Sequence, residues 1–375
     1  MSAKAIPVSK VMRRQLPALL GSLLRVKRER RKGGSVLPWK LEFFTTYSCG
    51  SRCKTCLIWT RYEREPELRA KELSPEAFGK ITASVGEHLR WISFTGGEIT
   101  DRDDALELAT QVVDAAPRAR VISSSSHGLA PERTESLFGA LAERYPDRAI
   151  MVTLSLDGLS ESYEKIRGVD GFDAVIESMA RLKALSVHHP NLQASYQVTL
   201  SRLNLHEADA LIDYVAGEAE GNVVTIANDS RVLTEGRIKD IDVRLDERLM
   251  AALSRATKSS RFFDINGQFA RVYMGLVRAM NKSGEAPIPC SAGLASLTVG
   301  PYGEVLQCDR HDEALGHIAA PDFNLEHLIR SPEFQAKLEP LRDCRECFTP
   351  CQAYPSMMQA PIKAGLGSLK QTVSF

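Results

Sequence analysis

Leu41-Glu-Phe-Phe-Thr-Thr-Tyr47 leads into Cys49-Gly-Ser-Arg-Cys53-Lys-Thr-Cys56, and this stretch decides how the rest of the chain reads. The first seven residues are aromatic-rich and β-prone and predict a strand. Three cysteines crowd into the eight residues from Cys49 to Cys56. Three thiolates in one tight loop can hold three corners of a cubane iron–sulfur cluster and leave the fourth iron open to a substrate or cosubstrate. Zinc is the competing reading, but it would need a fourth ligand nearby, and the loop offers no His.

All eight cysteines fall into two groups. After Cys56 there is none for 233 residues, and then come Cys290, Cys308, Cys344, Cys347 and Cys351. Structural cysteines would be scattered through the core, and a disulfide framework belongs to short secreted chains. The second group also reads as metal-binding, an iron–sulfur cluster with zinc as the alternative.

At 375 residues, with 43% hydrophobic and 25% charged content, the chain can bury a barrel-sized core and an appended module. No apolar run reaches membrane-spanning length, no secretory signal is expected, and reduced thiols suit the cytoplasm. The formal charge of +1 hides an asymmetry. Residues 1–40 carry eleven Lys/Arg and one acid, a net +10, so the remainder sums to −9. Leu16, Leu19, Leu20, Leu23 and Leu24 form an apolar helical face, with Pro17 expected in the first turn and a basic run over residues 25–32. Residues 12–32 could lie on an anionic membrane or hold an acidic partner; a helix packed on the barrel is the favoured alternative.

Beyond Cys56 strand and helix patterns alternate, as in a parallel α/β sheet. Strands are expected at 91–95, 120–124, 149–155, 192–200 and 222–227. Helices are expected at 75–85, capped by Ser74, and at 103–115 and 131–144. Six βα units imply a partial (β/α)6 barrel, whose chemistry belongs at the C-terminal ends of the strands. There lie Gly96-Gly97-Glu98, Ser126-His127-Gly128 and Ser155-Leu-Asp157-Gly158, the last continuing to Arg167-Gly168. Gln197 and Thr199 share the inward face of the fifth strand, with Asn204 just beyond.

The C-x3-C-x2-C spacing after a first strand, followed by Gly-Gly-Glu, resembles the radical S-adenosylmethionine (radical SAM) enzymes. The Ser-x-Asp-Gly…Arg-Gly run and the C-x9–15-G-x4-C pattern from Cys290 through Gly303 to Cys308 resemble those members that carry a C-terminal SPASM or twitch module. The resemblance implies a SAM-binding [4Fe–4S] cluster on Cys49, Cys53 and Cys56. It implies SAM contacts from Gly96, Gly97, Glu98, Ser126, Ser155, Asp157 and Gln197, with Glu98 gripping the methionyl amine. It further implies one auxiliary [4Fe–4S] cluster in a small α+β module, a β-hairpin plus helix, with Cys290, Cys308, Cys344 and Cys347 preferred and Cys351 a substitute or spare.

By the same resemblance, one electron delivered to SAM yields a 5′-deoxyadenosyl radical that takes hydrogen from a substrate C–H bond. The expected partners are a low-potential donor such as flavodoxin or ferredoxin and a peptide or small-molecule substrate, with no nucleic acid. A lipid-linked substrate is the alternative within this chemistry, and a non-catalytic iron–sulfur or zinc protein the alternative outside it. The expected division is a basic extension over 1–38, the barrel over 39–235, a helical linker over 236–289, the auxiliary module over 290–352 and a tail over 353–375. Thr55 stands where relatives often carry an aromatic and Ile99 where they often carry Pro, so Ile58 and Trp59 become candidates for packing adenine. No catalytic acid or base is assigned.

Overall fold

The computed structural model describes residues 5–31, 35–227, 230–236, 247–259, 265–347 and 349–359. Parts of the expected linker (237–246 and 260–264) and most of the tail (360–375) lie outside the described residues.

Among the described residues nine strands form one sheet: β1 Lys40–Phe44, β2 Trp91–Thr95, β3 Val121–Ser126, β4 Ala149–Ser155, β5 Leu192–Leu200, β6 Val223–Ile226, β7 Ser296–Val299, β8 Glu304–Leu306 and β9 Gly316–His317. Their order is β6-β5-β4-β3-β2-β1-β7-β8-β9, and β1 through β6 run parallel. The two ends of the sheet do not join, so the fold is an open, partial α/β barrel. Alternation along each strand builds two surfaces. Ile92, Phe94, Val152, Leu154, Val198 and Leu200 are buried in the main apolar core with residues of the flanking helices, such as Leu108, Phe138 and Leu182. The opposite positions are polar and half-buried: Ser93, Thr95, Ser123, Ser125, Thr153, Ser155, Gln197 and Thr199. Hydroxyls bridge neighbouring strands there, Ser123 to Ser93 at 3.1 Å and Thr153 to Ser125 at 3.3 Å.

β2, β4 and β5 begin and end where the sequence pattern places them. β1 is shorter than expected, ending at Phe44 rather than Tyr47. Beyond Phe44 the chain pairs with the loop after β2 instead: Gly97 N–H donates to Thr46 O at 2.7 Å and Glu98 N–H to Ser48 O at 2.8 Å. The C-terminal hairpin joins the barrel's own sheet. β7 lies parallel to β1 with Lys40 opposite Ser296, and β8 and β9 follow antiparallel. The expected helical stretch 324–341 divides into Leu325–Arg330 and Pro332–Leu338. Pro332 lacks the N–H to continue the first helix, and Ser331 caps the second by accepting from Phe334 N–H at 3.2 Å.

The N-terminal helix spans Val8–Arg31, so Pro17 sits in its interior and not in its first turn. Pro7 takes the place at its start, its carbonyl accepting from Val11 N–H at 3.0 Å. This helix crosses the N-terminal ends of the strands. At one end Ile6 N–H meets Pro146 O, ahead of β4, at 2.8 Å, and Val8 and Val11 pack with Ala149. At the other, Arg25 bonds the His88 ring and donates to Leu37 O at 3.1 Å, while Val26 enters the main core. The face that packs is therefore Val8, Val11 and Val26, whereas Leu20 and Leu24 are 55% and 69% exposed. The side chains of Leu16, Leu19 and Leu23 lie outside the described set. Among the described residues, no helix is long and apolar enough to cross a membrane.

Candidate active site

At the C-terminal ends of the strands a cavity of about 240 Å³ opens. Cys49, Cys53 and Cys56 all line it, as do Gly96, Gly97, Glu98, Ser126, Ser155, Asp157 and Gln197. Residues separated by up to 148 positions thus share one chamber. Thr55 and Ile58 also line it. Trp59 instead donates its indole N–H to Cys56 O at 2.9 Å and stacks beneath Arg52.

The glycine pair earns its place by close approach. A Cβ on Gly97 would lie 1.9 Å from Ser48 O, and one on Gly96, at φ +106°, would lie 2.8 Å from Phe44 Cα and Thr46 O. Any side chain there would push the cysteine loop off β2. Glu98 is 1% exposed, and its carboxylate is already engaged. Oε1 accepts from Thr100 N–H (3.1 Å), the Thr100 hydroxyl (2.8 Å) and the Ser126 hydroxyl (3.0 Å), and Oε2 accepts from His127 N–H (2.6 Å). Four donors match the lone-pair sites a carboxylate offers, so an ammonium would have to share it.

His127 ties this network to the cysteine loop. In the neutral ring Nδ1 accepts from Leu129 N–H at 3.0 Å and the proton sits on Nε2, 3.4 Å from Asp101. Asp101 in turn accepts from Gly50 N–H at 2.7 Å, one residue from Cys49. Burial opposes charge on His127, but Glu98 and Asp101 outweigh it and raise its pKa above the ordinary value.

Asp157 and Arg167 form a buried ion pair at 2.9 Å, and the second Asp157 oxygen accepts from Thr199 N–H at 2.7 Å. Asn204 clamps this corner by donating to Asp157 O and Thr199 O, so its amide serves the backbone and does not reach into the cavity as a ligand contact. Arg167 itself lines the cavity. Its carbonyl accepts from Arg52 N–H and that of Ile166 from Lys54 N–H, both at 2.8 Å, lacing the loop between Cys49 and Cys56 to the C-terminal end of the helix Glu161–Arg167 that follows β4. Burial raises the pKa of all three thiols, and the Arg167 guanidinium acts against that on each. A trio of thiols that needs positive charge to ionise, with a cation beside it and one cavity in front, fits an iron–sulfur cluster. Arg167 was legible only as part of the Arg-Gly pair; nothing local marked its side chain as the partner of the cysteines.

Cys290, Cys308, Cys344 and Cys347 lie within electrostatic reach of one another, Cys290 beside Cys344 and Cys347, and Cys308 beside Cys347. Cys290 N–H also donates to Cys344 O at 2.8 Å. Cys351 lies near Asp309, as Cys290, Cys308 and Cys347 do, but it also lines the barrel cavity, near Glu42, and its carbonyl accepts from the buried Lys40 ammonium at 2.8 Å. Cys290, Cys308, Cys344 and Cys347 could together hold a cluster; of the five, it is Cys351 that lines the cavity. His311 and Glu346 also reach Cys344, within 4.8 Å, so a divalent cation is a second group this corner could hold.

Residues 43–215 match the family model described as the Radical SAM superfamily. The probable GTP 3′,8-cyclase of Thermococcus kodakarensis is 32% identical over 141 residues, which is 37% of this chain and 42% of that protein. The Fe-coproporphyrin III synthase of Methanosarcina barkeri is 27% identical over 186 residues, 49% of this chain and 41% of that protein. The matched region thus spans about two fifths of each relative. Among solved structures, native anSMEcpe with bound AdoMet and Kp18Cys peptide superposes with a TM-score of 0.56 at 16% identity, covering 89% of this chain and 99% of that one.

Proposed function

We propose that this chain is a radical SAM enzyme that reductively cleaves SAM to oxidise a substrate at a C–H bond. One observation carries the reading: three loop thiols, the Gly-Gly-Glu turn and the Ser155–Asp157 strand end all line one cavity. Cys49, Cys53 and Cys56 would hold a [4Fe–4S] cluster, which would supply the electron for reductive cleavage of SAM. The remaining work belongs to the protein. Gly96 and Gly97 present backbone close to the loop, Ser155 and Gln197 offer hydroxyl and amide groups to ribose or carboxylate, and Ile58 supplies an apolar wall for adenine. Glu98 and Ser126 orient the amine end while staying tied to Thr100 and His127. The walls of β2 through β5 keep bulk water from the radical.

Cys290, Cys308, Cys344 and Cys347 are the proposed ligands of one auxiliary [4Fe–4S] cluster, which would accept the electron left on the oxidised substrate. A complete set of four protein ligands favours electron transfer over substrate ligation. The substrate we favour is a peptide or small molecule. The N-terminal helix closes the base of the barrel, and its buried valines favour that role over membrane binding.

Anaerobic reconstitution with iron, sulfide and zinc analysis tests the assignment. Changing Cys49, Cys53 and Cys56 together to Ala should remove about four irons and all 5′-deoxyadenosine production, while the second cluster remains. Continued 5′-deoxyadenosine formation in that variant would refute it.

A further inference from the structure

We propose that Arg167 is a positioning residue that sets the electron affinity of the cluster held by Cys49, Cys53 and Cys56. The inference rests on the radical SAM reading above and adds to it a protein group that decides how readily the cluster is reduced.

The placement is fixed by backbone and side chain together. The Arg167 carbonyl holds Arg52 N–H, and a Cβ on the following Gly168 would lie 2.4 Å from Arg52 O, so the helix end and the cysteine loop cannot separate. The side chain is only 10% exposed, and it lines the cavity alongside the three thiols. Asp157 holds one nitrogen of the guanidinium, Nη1. Nε is buried and lacks a hydrogen-bond partner. A buried donor left without an acceptor is costly. A negatively charged, thiolate-ligated cluster would offer an acceptor and a second counter-charge beside Asp157.

Glu42, Glu98, Asp157 and Asp309 line the same cavity as the three thiols, and Arg167 is the Lys or Arg among the lining residues. Reduction adds one electron to the cluster without moving a nucleus far. A fixed cation close by stabilises the reduced form, and net charge and hydrogen bonding to sulfur are the protein's main controls on such potentials.

The experiment is EPR-monitored potentiometry on the full-length, reconstituted protein, following the signal that added SAM perturbs. Arg167→Gln should lower the reduced-to-oxidised ratio at a fixed applied potential about tenfold, a 59 mV shift for one electron. Arg167→Lys keeps the charge and should stay within about twofold, even though it loses the planar fork. Because Arg167→Gln leaves Asp157 buried and unpaired and could unfold the site, the double variant Arg167→Gln with Asp157→Asn is measured beside it. It should fold and still shift downward, by less. A merely structural Arg167 would change cluster content or melting temperature while the loaded fraction kept the wild-type potential, and that result overturns the proposal. A wild-type protein with no SAM-perturbed signal at all would overturn the radical SAM reading and this inference with it.

Discussion

Glu98→Gln offers a quantitative test of the network around the Gly-Gly-Glu turn. The carboxylate accepts from two backbone N–H groups, those of Thr100 and His127, and from the Thr100 and Ser126 hydroxyls. A glutamine amide keeps one oxygen and converts the other into a donor. With its oxygen toward Thr100 and Ser126, the new NH2 opposes His127 N–H, which sat 2.6 Å from Oε2. With the amide flipped, both hydroxyls can rotate to accept from NH2, but Thr100 N–H is then opposed. Either choice strands one buried backbone donor and loses a charge-assisted bond, a cost of about 1.5–3 kcal/mol. Hydroxyl rotation cannot relieve it, because backbone N–H groups do not rotate.

The assay is urea unfolding of the cluster-free protein under reducing conditions, read by circular dichroism. The midpoint should fall with an unchanged slope. An unfolding free energy within about 0.5 kcal/mol of wild type, the range of a neutral surface change, would refute the reasoning and show the carboxylate to be free for a ligand. In the reconstituted protein the same variant should also bind SAM more weakly, by about 1.5–3 kcal/mol if a charge-assisted bond to the amine becomes neutral.

Three further outcomes follow from the geometry. The raised pKa of His127 stabilises the fold fully below about pH 6.5, and this contribution fades as pH climbs through the higher folded-state value. The stability gap between wild type and His127→Asn should therefore be larger at pH 6 than at pH 8.5, and equal gaps would remove the carboxylates as its cause. Cys347→Ser should lose the auxiliary cluster, about four irons, whereas Cys351→Ser should keep it; the reverse pattern in iron analysis would exchange their roles. In the N-terminal helix, Val26→Ala should cost about 1.5–3 kcal/mol and the exposed Leu24→Ser almost nothing. Salt-sensitive co-sedimentation of wild type with anionic vesicles would instead make residues 12–32 a membrane surface.

Much of the fold is legible from neighbours in sequence. β2, β4 and β5 follow from short apolar and β-branched runs between turn residues, and the helix Pro131–Arg144 from its Pro start and 3.6-residue period. The Cys49–Cys56 loop is equally local, because three ligands to one cluster must lie within a few residues when they come from one turn. The glycines at 96 and 97 are visible as a turn, but the reason for them is a carbonyl of Ser48 that no spacing reveals.

What the sequence by itself determined, then, was the set of strands and helices, the three-cysteine loop and the superfamily they point to. Only the tertiary structure decided that β7 pairs with β1, that the N-terminal helix buries Val8, Val11 and Val26 while leaving Leu20 and Leu24 in solvent, that of the five C-terminal cysteines it is Cys351 that lines the barrel cavity, and that Arg167 stands by the cysteines. The physical reason is range. Periodicity and turn chemistry act over a few residues and are written into the chain, whereas the partner of a strand edge, a helix face or a buried charge is chosen by packing and desolvation among segments tens to hundreds of residues apart.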